Sequence, residues 1–220
     1  MSYSQESKTG HPPWRTCFVI HLLADTGIRR GECCGLQWKV VDFQNNLITI
    51  TGNLCYAPDK GIYLDTPKNG KTRTIDIAPE VTDLLRQLRL EQASHAISSF
   101  VFTQEGSPEP MHPQTPTRYM NQFSKRYGIP GLHPHKLRHS FASVAITNGA
   151  DVASVSEKLG HGDKAVTLRM YTQCRPGKHE AGQPDISGRP EKSIIIAGWD
   201  NPTRLHFLLR MGFYESLNRA

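Results

Sequence analysis

The apolar residues of this chain change their spacing twice, and that limits the fold more than any other feature. Between residues 47 and 77 they follow a period of two. Leu47-Ile48-Thr49-Ile50-Thr51 and Thr72 to Ile77 alternate and are rich in β-branched residues, and an extended run from Gly61 to Thr66 lies between them. On both sides the spacing becomes helical. Val81, Leu84, Leu85 and Leu88 fall at i, i+3, i+4 and i+7 behind Pro79, a favoured first-turn residue. Pro13 to Ala24 reads as an apolar helix ended by Gly27, followed by a short helix through Gly31 to Leu36. After a Pro- and Gly-rich loop at 103–116, helices are expected at about 117–127, 134–148, 151–160 and 164–171, with Asp151 as an N-cap. The fold class is therefore mainly α (α+β), with a small three-stranded antiparallel sheet inserted near the start. Lys68-Asn69-Gly70-Lys71 is a strong two-residue hairpin signal between the second and third strands, because Asn-Gly tolerates positive φ at both central positions.

The two ends differ from this body. Residues 1–12 are polar and read as a disordered N-terminus. Residues 173–193 contain Pro176, Gly177, Gly182, Pro184, Gly188 and Pro190 among charges and read as a linker. Beyond it, residues 194–220 can add a strand at Ile194-Ile195-Ile196 and a helix from Leu205 to Leu217, with no role assigned.

Charge and cysteine content narrow the function. With 26 Lys+Arg against 20 Asp+Glu the net charge is +6, which favours an anionic partner such as nucleic acid or an anionic membrane surface. No run approaches the roughly 18 apolar residues of a membrane span. The longest, Cys17 to Ala24, contains His21 and lacks the basic flank of an export signal. Cys17, Cys33, Cys34, Cys55 and Cys174 form no C-x-x-C pair and leave an odd number, so a reducing compartment fits better than a disulfide framework. Secreted miniprotein, zinc ribbon and membrane protein are set aside.

Several residues could carry chemistry, though each has a plain structural reading when taken alone. Arg29 and Glu32 share a helix face at i,i+3, as surface ion pairs commonly do. Lys68 sits in a turn, where lysines are usually just solvated. His135 and Arg138 lie together at i,i+3. His135 and His139, at i,i+4, have no carboxylate between them and no third ligand nearby in sequence, so no metal is expected. Leu159-Gly160-His161 ends a helix, and Tyr171 follows ten residues after His161.

Their order is specific. TGIRRGE (26–32), PKNGKTR (67–73), HKLRHSFAS (135–143) and LGHGDKAVTLRMYT (159–172) together resemble the ordered signature of the tyrosine recombinase (phage integrase) family. The resemblance covers residues 13–172, the expected catalytic domain. It implies DNA strand cleavage and religation through a 3′-phosphotyrosine, with neither metal nor cofactor. Carried over residue by residue, it makes Tyr171 the nucleophile, Arg29 and Arg138 the clamp on the nonbridging oxygens, and Lys68 the general acid to the leaving oxygen. His135 would assist proton transfer, His161 would hydrogen-bond a phosphate oxygen, and Glu32 would orient Arg29. Tyr119 and Tyr127 read as packing residues.

The implied partners are double-stranded DNA and further copies of the chain in a tetrameric synapse, with no membrane, in a bacterial cytoplasm and on the nucleoid. Arg29, Lys68, Lys71, Arg73, Lys136 and Arg138 are expected to face phosphates, with Arg118, Lys125 and Arg126 as a second group. Only 28 residues precede Arg29, so the N-terminal DNA-binding domain usual in such enzymes is expected to be missing. That leaves a catalytically silent DNA-binding remnant as the alternative. A type IB topoisomerase shares the Arg, Lys, Arg, His and Tyr chemistry but fits the short chain and the Leu-Gly-His box less well. The linker reading has a direct check: limited proteolysis should cut first between Cys174 and Lys192, and protection of that span would contradict it.

Overall fold

A computed structural model describes residues 14–66, 72–94, 97–129, 131–161 and 163–173. At its centre lies helix α1 (Trp14–Thr26), which buries Cys17, Phe18, Val19, Ile20, Leu22 and Leu23. A helix apolar on nearly every side must be surrounded. Here α2 (Arg30–Cys34), α4 (Thr115–Tyr127) and α5 (Pro134–Thr147) surround it. Helix α3 (Pro79–Ala93) buries the expected stripe of Val81, Leu84, Leu85 and Leu88. Helix α6 (Val152–Leu159) begins where Asp151 accepts the Ser154 N–H and ends at Gly160, and α7 (Lys164–Gln173) packs on α5 and α6. The His133 ring caps α5 by accepting the Lys136 N–H, a role the sequence reading did not assign.

The expected three-stranded antiparallel sheet exists, but its membership differs. Strand β2 (Leu47–Ile50) is central, flanked by β1 (Val41–Asp42) and β5 (Arg73–Asp76). Its period of two is visible in the register. Ile48 lies opposite Ile75 and both are buried, whereas Thr49 and Thr74 pair on the exposed face with hydroxyls 3.3 Å apart. The run that begins at Gly61 is not part of this sheet. As β4 (Gly61–Asp65) it pairs with β3 (Asn53–Ala57) in a separate hairpin lying on α2. Strand β3 escaped the sequence reading because Asn53-Leu54-Cys55-Tyr56-Ala57 buries only Leu54 and leaves Tyr56 half exposed. The Asn69-Gly70 turn lies outside the described residues. The strands on either side of it belong to different sheets, so they do not form the hairpin ladder expected of them.

Helix α5 is a second correction. Apolar spacing along this helix predicts a buried stripe of Leu137, Phe141, Val144 and Ala145. Its fully buried residues are instead Leu137, Arg138 and Ala142, whereas Phe141, Val144 and Ala145 are only half-buried. Phe141 and Ala145 pack against a small cluster of Ala142, Val155 and Leu159 that joins α5 to α6.

Gly27, between α1 and α2, shows how tightly these parts meet. Its φ of +63° lies in the left-handed region, and a Cβ there would stand 2.7 Å from both Phe141 and Leu159. Gly128 has almost the same φ, +62°, with nothing within 4 Å. The pair separates backbone strain from crowding. Gly128→Ala should cost about 1–2 kcal/mol, the strain alone, and Gly27→Ala about 3–4 kcal/mol once overpacking is added. Urea unfolding of both variants measures the difference.

Candidate active site

The site is built around one carboxylate. Glu32, 4% exposed, stands at the third position of α2 and accepts the Arg29 backbone N–H at 2.8 Å on Oε2. Its Oε1 accepts from Arg29 Nη1 at 2.9 Å. From the other side Arg73, at the start of β5, grips it with both ends of its fork: Nη1 to Oε1 at 3.0 Å and Nη2 to Oε2 at 2.6 Å. Burial pushes the Glu32 carboxyl up, but hydrogen bonds and charge from Arg73 and Arg29 outweigh it and hold the group below its usual range. The pairing is stronger than the exposed i,i+3 contact considered from sequence, because the carboxylate is desolvated and bound on two sides.

A second framework is the turn that ends α6. Gly160 adopts φ +67°, which directs three successive carbonyls at three arginines. Lys158 O accepts from Arg73 Nε at 2.8 Å, Leu159 O from Arg138 Nη2 at 2.6 Å, and Gly160 O from Arg29 Nη2 at 3.1 Å. The Gly27 carbonyl accepts from Arg138 Nη1 at 2.7 Å. Arg138 is 3% exposed, and these partners are neutral carbonyls, so its charge is hydrogen-bonded but not balanced by them. Burial, then the nearby Arg29 and Arg73, push its guanidinium down to about 9, with Glu32 opposing. It is still a cation at neutral pH, in surroundings that favour an anion beside it.

The histidines respond to the same field. Burial first, then Arg138 and Arg29, push His161 down to about 4. His135 is lowered by burial, by His133 and by the surrounding arginines, and His139 by burial and by His135 and Arg138. His161 is therefore neutral at neutral pH. Its Nδ1 lies 2.7 Å from the hydroxyl of Thr167, a fully buried residue on α7.

Arg29, His135 and Arg138 line one open cleft of about 390 Å³, walled by α2, α5 and the β3–β4 hairpin. Arg30 lies between it and a neighbouring cavity of about 710 Å³ on α4, where its Nη1 donates to the Thr117 hydroxyl at 3.1 Å. Arg29, His135, Arg138 and His161 are thus gathered by the fold. Lys68 and Lys71 lie outside the described residues. Tyr171 is in the last turns of α7, one helical turn beyond Thr167, and its side chain is outside the description. Arg73 corrects its assignment as a phosphate-facing cation: its side chain is 10% exposed and turned inward onto Glu32 and Lys158. Neither this contact nor the part of Thr167 carries a local sequence signal, since both partners are remote or on another face. Among the described residues no group of three or more His, Cys, Asp or Glu side chains is arranged to hold a metal.

A helical domain whose Arg and His-x-x-Arg elements line one cationic cleft, with the carbonyls of a Leu-Gly-His turn holding both arginines, is of the tyrosine recombinase catalytic class. The chain belongs to the phage integrase family, whose model matches residues 3–177. It is 30% identical over 160 residues to the tyrosine recombinase XerA of Pyrococcus furiosus, covering 72% of this chain and 50% of that protein. Among solved structures it is similar to the Tn1549 transposon integrase in complex with transposon right end DNA, with a TM-score of 0.61 and 25% identity over 70% of this chain and 53% of that one. The crystal structure of XerA recombinase is also similar, with a TM-score of 0.55 and 26% identity over 78% of this chain and 65% of that one. The chain spans about half the length of the curated relatives it matches.

The depressed histidines give the fold a dependence on pH. An unfolded His binds its proton near pH 6.5, whereas folded His161 does so only near 4. Acid therefore favours the unfolded chain. The His161 contribution should be flat above about pH 6.5 and fall as the pH drops from there towards 4. His135 and His139 shift in the same direction, so His161→Asn should make the fall shallower without removing it. Urea midpoints at pH 7.5 and pH 5 compare the two; an equal fall in both would contradict the assignment.

Proposed function

We propose that the chain cleaves and rejoins double-stranded DNA as a site-specific recombinase or integrase, through a 3′-phosphotyrosine on Tyr171. The observation that carries this reading is that Arg29 and Arg138 are held by carbonyls of one turn and line the same cleft as His135. Two guanidiniums fixed before substrate arrives provide what a phosphoryl centre needs as charge builds on its nonbridging oxygens. The buried, unbalanced charge of Arg138 adds an appetite for such an anion.

The remaining roles follow from protonation state. In this reading the Thr167 hydroxyl donates to His161 Nδ1, leaving Nε2–H to donate to a phosphate oxygen. Neutral His135 can take the phenolic proton as Tyr171 attacks, and Lys68 protonates the leaving 5′-oxygen. An ordinary phenol has a pKa near 10, so the cationic surroundings must stabilise the developing phenolate. Tetrameric assembly on DNA, in a bacterial cytoplasm and on the nucleoid, belongs to the same proposal. The DNA partner in it draws support from the likeness to a transposon integrase in complex with transposon right end DNA.

A nicked suicide duplex tests it. The parent chain should form a covalent protein–DNA adduct. Tyr171→Phe should form none while duplex affinity stays within about twofold, because the hydroxyl contributes to bond making more than to binding. Arg138→Ala should weaken both. An adduct that persists in Tyr171→Phe would assign the nucleophile elsewhere. No adduct from the parent would favour a DNA-binding remnant without turnover.

A further inference from the structure

We propose that Arg73 is a positioning residue of this reaction, which sets Arg29 through Glu32 and makes no contact with DNA. The inference rests on the recombinase reading for its kinetic consequence, but its structural part stands on hydrogen bonds alone. Arg73 uses every nitrogen of its guanidinium inside the protein. Nη1 and Nη2 bind the two oxygens of Glu32, and Nε binds Lys158 O. Both Glu32 oxygens are shared with Arg29, one with its side chain and one with its backbone N–H. Without Arg73 the buried carboxylate keeps only the partner from its own turn and is free to change rotamer. Arg29, whose side chain is 41% exposed, would then lose the anchor that aims it into the cleft.

A second observation supports the assignment. Arg73 lies against the open side of Gly160, where a Cβ would stand 2.8 Å from Nη1 and 3.0 Å from Cζ. The turn whose carbonyls hold Arg29 and Arg138 is therefore shaped around the Arg73 guanidinium. Lys158 and Asp76, with Nζ and Oδ2 3.6 Å apart, add a weaker tie between the same strand and helix. A planar fork that spans a carboxylate and reaches a carbonyl with its third nitrogen is a task an ammonium cannot perform.

The test compares the parent chain, Arg73→Gln and Arg73→Lys, with urea unfolding to confirm that each is folded. Single-turnover cleavage of the suicide duplex at saturating protein should slow about 10- to 100-fold in Arg73→Gln, the range seen when an outer-shell partner of a metal ligand is removed. Arg73→Lys, which keeps the charge, should not restore the rate. The slope of log affinity on log salt should stay that of the parent, whereas loss of a phosphate contact would reduce it by about 0.9. In an Arg29→Lys background, Arg73→Gln should slow cleavage less than about threefold further, since the two act as one unit. A reduced salt slope with an unchanged saturated rate would make Arg73 a DNA contact and overturn the proposal. So would a full-sized loss in the Arg29→Lys background. One arm needs no cleavage. In 15N spectra of the arginine side chains, Arg29 should show hindered rotation in the parent and averaged signals in Arg73→Gln. Unchanged Arg29 signals would overturn the proposal even if the parent formed no adduct, an outcome that counts separately against the recombinase reading.

Discussion

Glu32 is the interaction on which the site depends. Three arginines in one region would repel each other and lose solvation, and a fold can hold them only if something inside answers part of that charge. Glu32 answers two of them directly, and the carbonyls around Gly160 satisfy donors on all three. What is left over is concentrated on Arg138 and the exposed side of Arg29. In the proposed reaction the protein would thus start with positive charge already placed and its donors aligned. Little reorganisation remains to be done when an anion arrives.

Burial, reinforced by the same charge, explains the behaviour of the histidines. Burial lowers His135, His139 and His161, Arg138 adds to it at each, and Arg29 adds to it at His135 and His161, so all three are held below the ordinary imidazole range. At neutral pH they are neutral, while the arginines carry the permanent charge. In the proposed reaction His135 would accept a proton and His161 would donate a hydrogen bond. This division of labour suits chemistry in which charge stabilisation and proton transfer are needed on the same phosphate. It also places Thr167 in the site's supporting layer, because a neutral ring needs a partner to select its tautomer.

Much of the fold was legible in the sequence. Helices α1, α3, α5, α6 and α7 follow from apolar spacing, Pro79 and Asp151, and strands β2 and β5 from alternation. Strand β3 was not legible, since its only deeply buried side chain is Leu54 and a single inward residue shows no period. Nor was the pairing of β4. Asn69-Gly70 is a sound local turn signal, but pairing is decided by which neighbouring face is apolar. β2 offers Ile48 and Ile50 to β5, whereas β4 lies beside β3 on α2.

What the sequence by itself determined is the set of parts: a helical body, a small β insertion, and an ordered series of Arg, His-x-x-Arg, Leu-Gly-His and Tyr that resembles one enzyme family. Only tertiary structure decided what each cation does. Arg29, Arg73 and Arg138 look alike as letters, yet Arg29 faces the cleft, Arg138 is buried beside it, and Arg73 turns away to bind Glu32 and Lys158. The reason is physical. A guanidinium's role is set by the acceptors within about 3 Å of it. For Arg73 and Arg138 the acceptors that settle the matter come from segments 21 to 111 residues away, so no local pattern can announce them.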